Sequence, residues 1–329
     1  MMAELAPQNK SGEYSRPKYT FSGRIGDENF PDEPNRYHLY VGNPCPWCHR
    51  ARLVLALRNV DVNTEVGVTI LIDDPIKASR GGWVFGASKE NVDPLFGCDD
   101  LRVLYDRLSP GMGGYKGRCT APLLVDLKSR RIVSNESKDI VRMLGSATFG
   151  KETVGEDRPG GRMDLYPSEL RERIDRTNDW VYSLLNNGVY RCGFSTSQGA
   201  YDRASADVLE GLSRVENVLS EDGGRPYLNG EAFTESDLFL LPTALRFDGA
   251  YGPLFRAGGA HVRLRGGGLS AYARVDERCW NMEGAGKGGL ADTVDLGDAC
   301  ASYYRQLFPL NPGGIVPTTV TAKDIGLSD

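Results

Sequence analysis

The chain has 329 residues, a formal net charge of −5 and 25% charged residues. That balance excludes a sequence-independent nucleic-acid binder, which needs a basic face to displace phosphate counterions. No apolar run reaches the roughly 20 residues that cross a bilayer, and the seven cysteines, an odd number, do not read as a secreted disulfide framework. The N-terminal stretch has no apolar signal-peptide core, so the expected location is the cytoplasm, with no membrane and no nucleic-acid partner.

Residues 1–35 are polar and broken by prolines, and they read as an N-terminal arm. YHLYVG (Tyr37–Gly42) is rich in β-formers and predicts a strand. NPCPWCHR follows, then ARLVLALRNV, which has helical composition. VGVTILID (Val66–Asp73) predicts a second strand. The stretch from Asp74 to Gly117 is irregular apart from a helical piece around LRVLYDRL. Two short strands around a polar turn and the helix SKDIVRMLG complete a strand–helix–strand, hairpin–helix order over 36–150, which suits a thioredoxin-like α/β domain. Residues 150–163 are Gly-rich and charged, as a linker would be. Residues 164–310 then keep helical apolar spacing, predicting an all-α domain, with a tail over 311–329. Residues 257–298 are Gly-rich and poorly patterned, which predicts loops or an insertion.

The chemistry concentrates at Cys45 and Cys48, a C-x-x-C pair that opens a helix after a strand. A helix N-terminus offers unpaired N–H groups and the positive end of a dipole, and both favour thiolate over thiol. Cys45 lies nearest the helix start and is the candidate nucleophile; Cys48, inside the first turn, is a candidate resolving thiol. Pro46 suits the first helical position, where its missing N–H costs nothing. The plainer alternatives are two inert thiols or half of a zinc site. Zinc needs further ligands, and the sequence has no second C-x-x-C and no H-x-x-x-H, so no metal is expected.

Pro122 is the second candidate. A proline before the third strand of a thioredoxin-like domain is commonly cis, leaving the Ala121 backbone to pair with a thiol peptide; the alternative is an ordinary strand-edge proline. Glu136 and Ser137 are the third. Glu136 can accept an α-ammonium, and the Ser137 hydroxyl with the helix N–H groups can take a carboxylate; the alternative is a plain helix cap. Thr234-Glu235-Ser236-Asp237 reads as a capping box with a role in stability only.

At these residues the chain resembles a known family. YHLYVGNPCPWCHRARLVL resembles the CPWAHR segment of the Xi-class glutathione transferases, or glutathionyl-hydroquinone reductases. The segments FSGRIGDENFPDEPNRYHLYV, IVSNESKDIVRML, DLYPSELRERIDRTNDWVYSLLNNGVY, ALRFDGAY and YYRQLFPLNPGGIVP are similar to its other hallmarks, in family order. The resemblance implies a thioredoxin-like N-terminal domain, an all-helical glutathione-transferase C-terminal domain and a homodimer. It implies reduction of glutathionyl-hydroquinones, with glutathione as co-substrate and no cofactor. Carried over by position, Cys45 is the catalytic nucleophile, and Trp47, Ala121, Pro122, Glu136 and Ser137 hold glutathione. Tyr190 and Tyr304 act on the quinol ring, with Tyr303 and Tyr251 as further ring-facing candidates. For any one tyrosine the alternative is core packing. Cys48 departs from the family's usual alanine, which opens a general dithiol reductase or deglutathionylase as the alternative function.

Overall fold

The computed structural model describes residues 6–17, 19–74, 82–109, 114–150, 163–221, 224–259, 277–282, 289–307, 309–318, 321–325 and 327. By contacts the chain forms two units, residues 18–163 with 283–288, and residues 1–17 with 164–282 and 289–329.

The first unit is built on a five-stranded sheet in the order β3-β2-β1-β4-β5. β1 (Tyr37–Gly42) has all six residues buried. It runs parallel to β2 (Val66–Asp73), with Tyr37 opposite Val66 and Gly42 opposite Leu71. Helix α1 (Pro46–Leu57) makes the crossover between them, as a parallel pair requires. β2 also pairs with the short antiparallel β3 (Trp83–Val84). Helix α2 (Leu101–Arg107) then leads to the antiparallel strands β4 (Leu123–Asp126) and β5 (Arg131–Ser134), with β4 on the other side of β1. Helix α3 (Ser137–Ser146) packs against α1. This is the thioredoxin-like arrangement, with one strand, β3, that the sequence pattern did not reveal. Gly42 explains how β3 closes that edge: a Cβ there would lie 2.2 Å from the Trp83 ring.

The second unit is helical. It contains α4 (Arg171–Trp180), α5 (Gly188–Gly193), α6 (Gln198–Ser220), α7 (Glu235–Arg246) and α8 (Leu296–Gln306). Two wider π-helical stretches interrupt the α-helical course, Val181–Asn186 after α4 and Phe247–Tyr251 after α7. The capping box forms at the start of α7: the Thr234 N–H donates to the Asp237 carboxylate at 3.0 Å. The Asp237 carboxylate also accepts the Leu228 N–H at 2.8 Å, tying the preceding loop to the helix.

The described residues of the expected 1–35 arm divide between the two units. Residues up to 17 group with the helical unit, where the Thr196 N–H donates to the Gly12 carbonyl and Tyr14 meets Phe194 edge-on at 5.5 Å. Residues 18–35 group with the sheet, where the Asp32 carboxylate accepts the Thr148 and Phe149 N–H groups at 2.7 and 2.8 Å. Most of the linker, 151–162, and the core of the Gly-rich region, 260–276 and 283–288, lie outside the described residues.

Candidate active site

Cys45 is the N-cap of α1. Its backbone is extended (φ −74°, ψ 117°), its carbonyl accepts the His49 N–H at 3.0 Å, and Pro46 occupies the first helical position. Its Sγ accepts the Cys48 N–H at 3.4 Å. The sulfur therefore lies at the positive end of the helix, where unpaired N–H groups converge. On its other side the thiol faces the Ala121 carbonyl, at 3.6 Å. The Arg50 guanidinium lies 4.6 Å above the Trp47 ring, placing a cation on the first turn of α1.

Of the seven cysteines, only Cys45 is not buried. Burial pushes the Cys98 thiol up to about 12, and those of Cys119, Cys192 and Cys300 up to about 11. These are inert thiols at neutral pH. Cys48 is fully buried within the first turn.

The Ala121–Pro122 peptide is cis. Glu136 is the N-cap of α3, its carboxylate accepting the Lys138 N–H at 3.1 Å and the Ser137 hydroxyl at 3.3 Å. Ser137 is buried and Glu136 half-buried. Cap and ligand site are thus compatible here: the same carboxylate closes the helix end and keeps a partly exposed face. The sheet unit brings Cys45 to Ala121, while Glu136 and Ser137 open a second helix N-terminus of the same unit.

In the helical unit three tyrosine hydroxyls meet. Tyr303 and Tyr190 are 2.8 Å apart, Tyr303 and Tyr251 2.7 Å, and Tyr190 and Tyr251 3.3 Å. Phe255 packs against all three rings at 5.4–5.7 Å. The close approach of α5 to Phe255 needs Gly193, where a Cβ would fall 2.5 Å from that ring. Tyr251 and Tyr303 are buried and Tyr190 is half-buried, so Tyr190 carries the trio toward the surface of its unit. Burial, reinforced by the neighbouring phenols, raises Tyr303 well above the ordinary phenol value, while the Arg246 guanidinium pulls it back. Tyr303 stays a proton donor at neutral pH.

Tyr304 does not join this group. Its hydroxyl donates to the Gly249 carbonyl at 3.2 Å. Of the two neighbouring tyrosines on α8, both candidates to face the quinol ring, Tyr303 is the one whose hydroxyl meets that of Tyr190. Phe255, which packs on the trio, and Phe194, which meets Tyr190 and Phe255 at 5.9 and 5.5 Å, were missed by sequence reasoning, and no spacing in the sequence marks them. Among the described residues no group of three or more His, Cys, Asp or Glu side chains is placed to hold a metal ion. No helix among them is long and apolar enough to cross a membrane.

Comparison with known proteins gives this geometry a family. The glutathione S-transferase N-terminal domain matches residues 44–147, and the C-terminal domain of the same family matches residues 198–275. The glutathionyl-hydroquinone reductase PcpF of Sphingobium chlorophenolicum is 36% identical over 94% of this chain and 90% of its own length. The crystal structure of the Xi glutathione transferase of Phanerochaete chrysosporium superposes with a TM-score of 0.82 at 32% identity, covering 96% of this chain and all of that one. The glutathione-bound structure of YqjG from Escherichia coli K-12 superposes with a TM-score of 0.74 at 32% identity, covering 95% of both chains. The chain belongs to the Xi-class glutathione transferases, the glutathionyl-hydroquinone reductase family.

Proposed function

We propose that the protein reduces glutathionyl-hydroquinones to hydroquinones at the expense of glutathione, through a mixed disulfide on Cys45. The observation that carries this reading is Cys45 itself, the one cysteine not buried, capping α1 with its sulfur on the Cys48 N–H. A thiolate at that position attacks the sulfur of the glutathionyl adduct. The new S–S bond joins Cys45 to the glutathionyl sulfur, and the C–S electron pair leaves on the ring carbon. That carbon then takes a proton, giving the hydroquinone. A second glutathione thiolate attacks the mixed disulfide, releasing glutathione disulfide and the Cys45 thiolate. Two glutathione sulfurs are oxidised and the ring carbon gains two electrons, so the cycle balances without metal, nucleotide or other cofactor.

The glutathionyl group is assigned to Trp47, Ala121, Pro122, Glu136 and Ser137. The ring proton is assigned to the trio Tyr190, Tyr251 and Tyr303, whose phenols also hydrogen-bond developing negative charge. Tyr304 takes no chemical role in this scheme. A relative that bears the reductase name at 36% identity supports the substrate class. A homodimer and a cytoplasmic location complete the reading; sedimentation and fractionation test them.

Turnover of glutathionyl-menadiol tests the mechanism. Cys45→Ser abolishes it and Cys48→Ala leaves it unchanged, since a buried second thiol is not needed when glutathione resolves the disulfide. Collapse of Cys48→Ala replaces this reading with the dithiol cycle.

A further inference from the structure

Behind the glutathione-facing backbone lies a tyrosine that neither motif contains. Tyr105, on α2, is fully buried, with its ring stacked on Tyr115 at 4.9 Å. Its hydroxyl donates to the Thr120 carbonyl at 2.8 Å and accepts from Asn135 Nδ2 at 3.1 Å. Asn135 Nδ2 also reaches Thr120 Oγ1, at 3.3 Å. One hydroxyl thus joins the stretch before Ala121 to the stretch before Glu136 and Ser137. These are the two segments that the proposed function places around one glutathionyl group.

The peptide between Thr120 and Ala121 is planar and trans, so its C=O and N–H point opposite ways. Holding the Thr120 carbonyl inward on Tyr105 turns the Ala121 N–H away from the core. We propose that Tyr105 is a positioning residue for glutathione: its hydroxyl fixes the Ala121 N–H outward and ties it, through Asn135, to Glu136 and Ser137. This rests on the reading of those residues as the glutathione site. Burial raises the Tyr105 phenol far above its ordinary value, so it remains a donor to Thr120 at any working pH. The alternative, that Tyr105 is only a core ring, has an internal control. Tyr115 belongs to the same stack, but its hydroxyl meets Thr20 Oγ1 at 3.4 Å and has no part in the Thr120–Asn135 link.

The test is calorimetric titration with S-methylglutathione, which binds without forming a disulfide on Cys45. Tyr105→Phe keeps the stacked ring and removes one hydroxyl. It should raise the Kd about three- to tenfold, the scale of one buried hydrogen bond. KM for glutathione should rise with it, while kcat at saturating glutathione stays within about twofold, because positioning acts on ground state and transition state alike. Asn135→Leu should move the Kd the same way by less, and it carries the test where Tyr105→Phe does not fold. Tyr115→Phe should leave the Kd unchanged. An unchanged Kd in a folded Tyr105→Phe overturns the proposal, as does an equal rise in Tyr115→Phe, which means general softening. Failure of the reductase reading has a separate signature: wild-type protein that binds S-methylglutathione yet turns over no glutathionyl-hydroquinone.

Discussion

The sulfur site of the sheet unit and the phenol cluster of the helical unit are made in opposite ways. Around Cys45 the chemistry comes from backbone: a helix N-terminus, the Cys48 N–H and the Ala121 carbonyl. Around Tyr303 it comes entirely from side chains, delivered by residues 113 and 52 positions away in the chain. Backbone sites depend on secondary structure and tolerate changes in neighbouring side chains. Side-chain clusters depend on packing, and one lost hydroxyl changes the group.

The largest expected effect tests the division directly. Cys45→Ser should silence two reactions together: reduction of glutathionyl-menadiol and glutathione-dependent reduction of a small mixed disulfide such as that of hydroxyethyl thiol. A variant that keeps either at wild-type rate breaks the assignment of Cys45.

Tyr303→Phe should separate them. A thiolate leaving group needs no ring proton, so disulfide exchange should continue, while turnover of glutathionyl-menadiol falls by about 10²-fold, the scale of a lost general acid. Parallel losses in both assays would merge the two sites into one structural effect. Tyr304→Phe, by contrast, should stay within about twofold in both, because its hydroxyl donates to the Gly249 carbonyl and lies outside the phenol trio.

A third prediction concerns how the sheet unit holds together as pH falls. His38 is buried beside Thr69, its Nε2 2.8 Å from Thr69 Oγ1. Burial lowers its pKa to about 4, while Asp93 pulls it upward. The unfolded chain binds the proton near 6.5, so the folded state binds fewer protons between these values. The contribution is therefore complete above pH 6.5 and is lost as pH falls toward about 4, where it levels off. Urea midpoints at pH 7.5 and pH 5 should diverge less in His38→Gln than in wild type. An equal divergence removes His38 from the acid sensitivity. The smallest effect is that of Cys48→Ala, for which rates should match wild type.

This contrast also explains what could be read from the sequence. CPWC, the strand before it and the helix after it are contiguous, so Cys45, Pro46 and α1 were legible from spacing and composition. The same holds for the capping box at Thr234 and for the order of strands β1, β2, β4 and β5. The tyrosine cluster was not legible at the residue level. Tyr303 and Tyr304 are neighbours on α8, about 100° apart around the helix, and only packing decides which one faces Tyr190. The π-helical stretch Phe247–Tyr251 compounds this, because its wider turn places Tyr251 off the 3.6-residue pattern. β3 was missed because two residues carry no alternation, and Tyr105 because a buried ring in a short helix reads only as core.

The most direct test of Cys45 as the reacting sulfur is intact and peptide mass spectrometry after exposure to glutathione disulfide. One glutathionyl adduct on Cys45, removed by added glutathione, with the other six cysteines unmodified, is the expected result. A bridge between Cys45 and Cys48 would keep Cys45 as the reacting sulfur and replace glutathione with Cys48 as the resolving thiol; an adduct on any other cysteine with Cys45 unmodified would contradict the account.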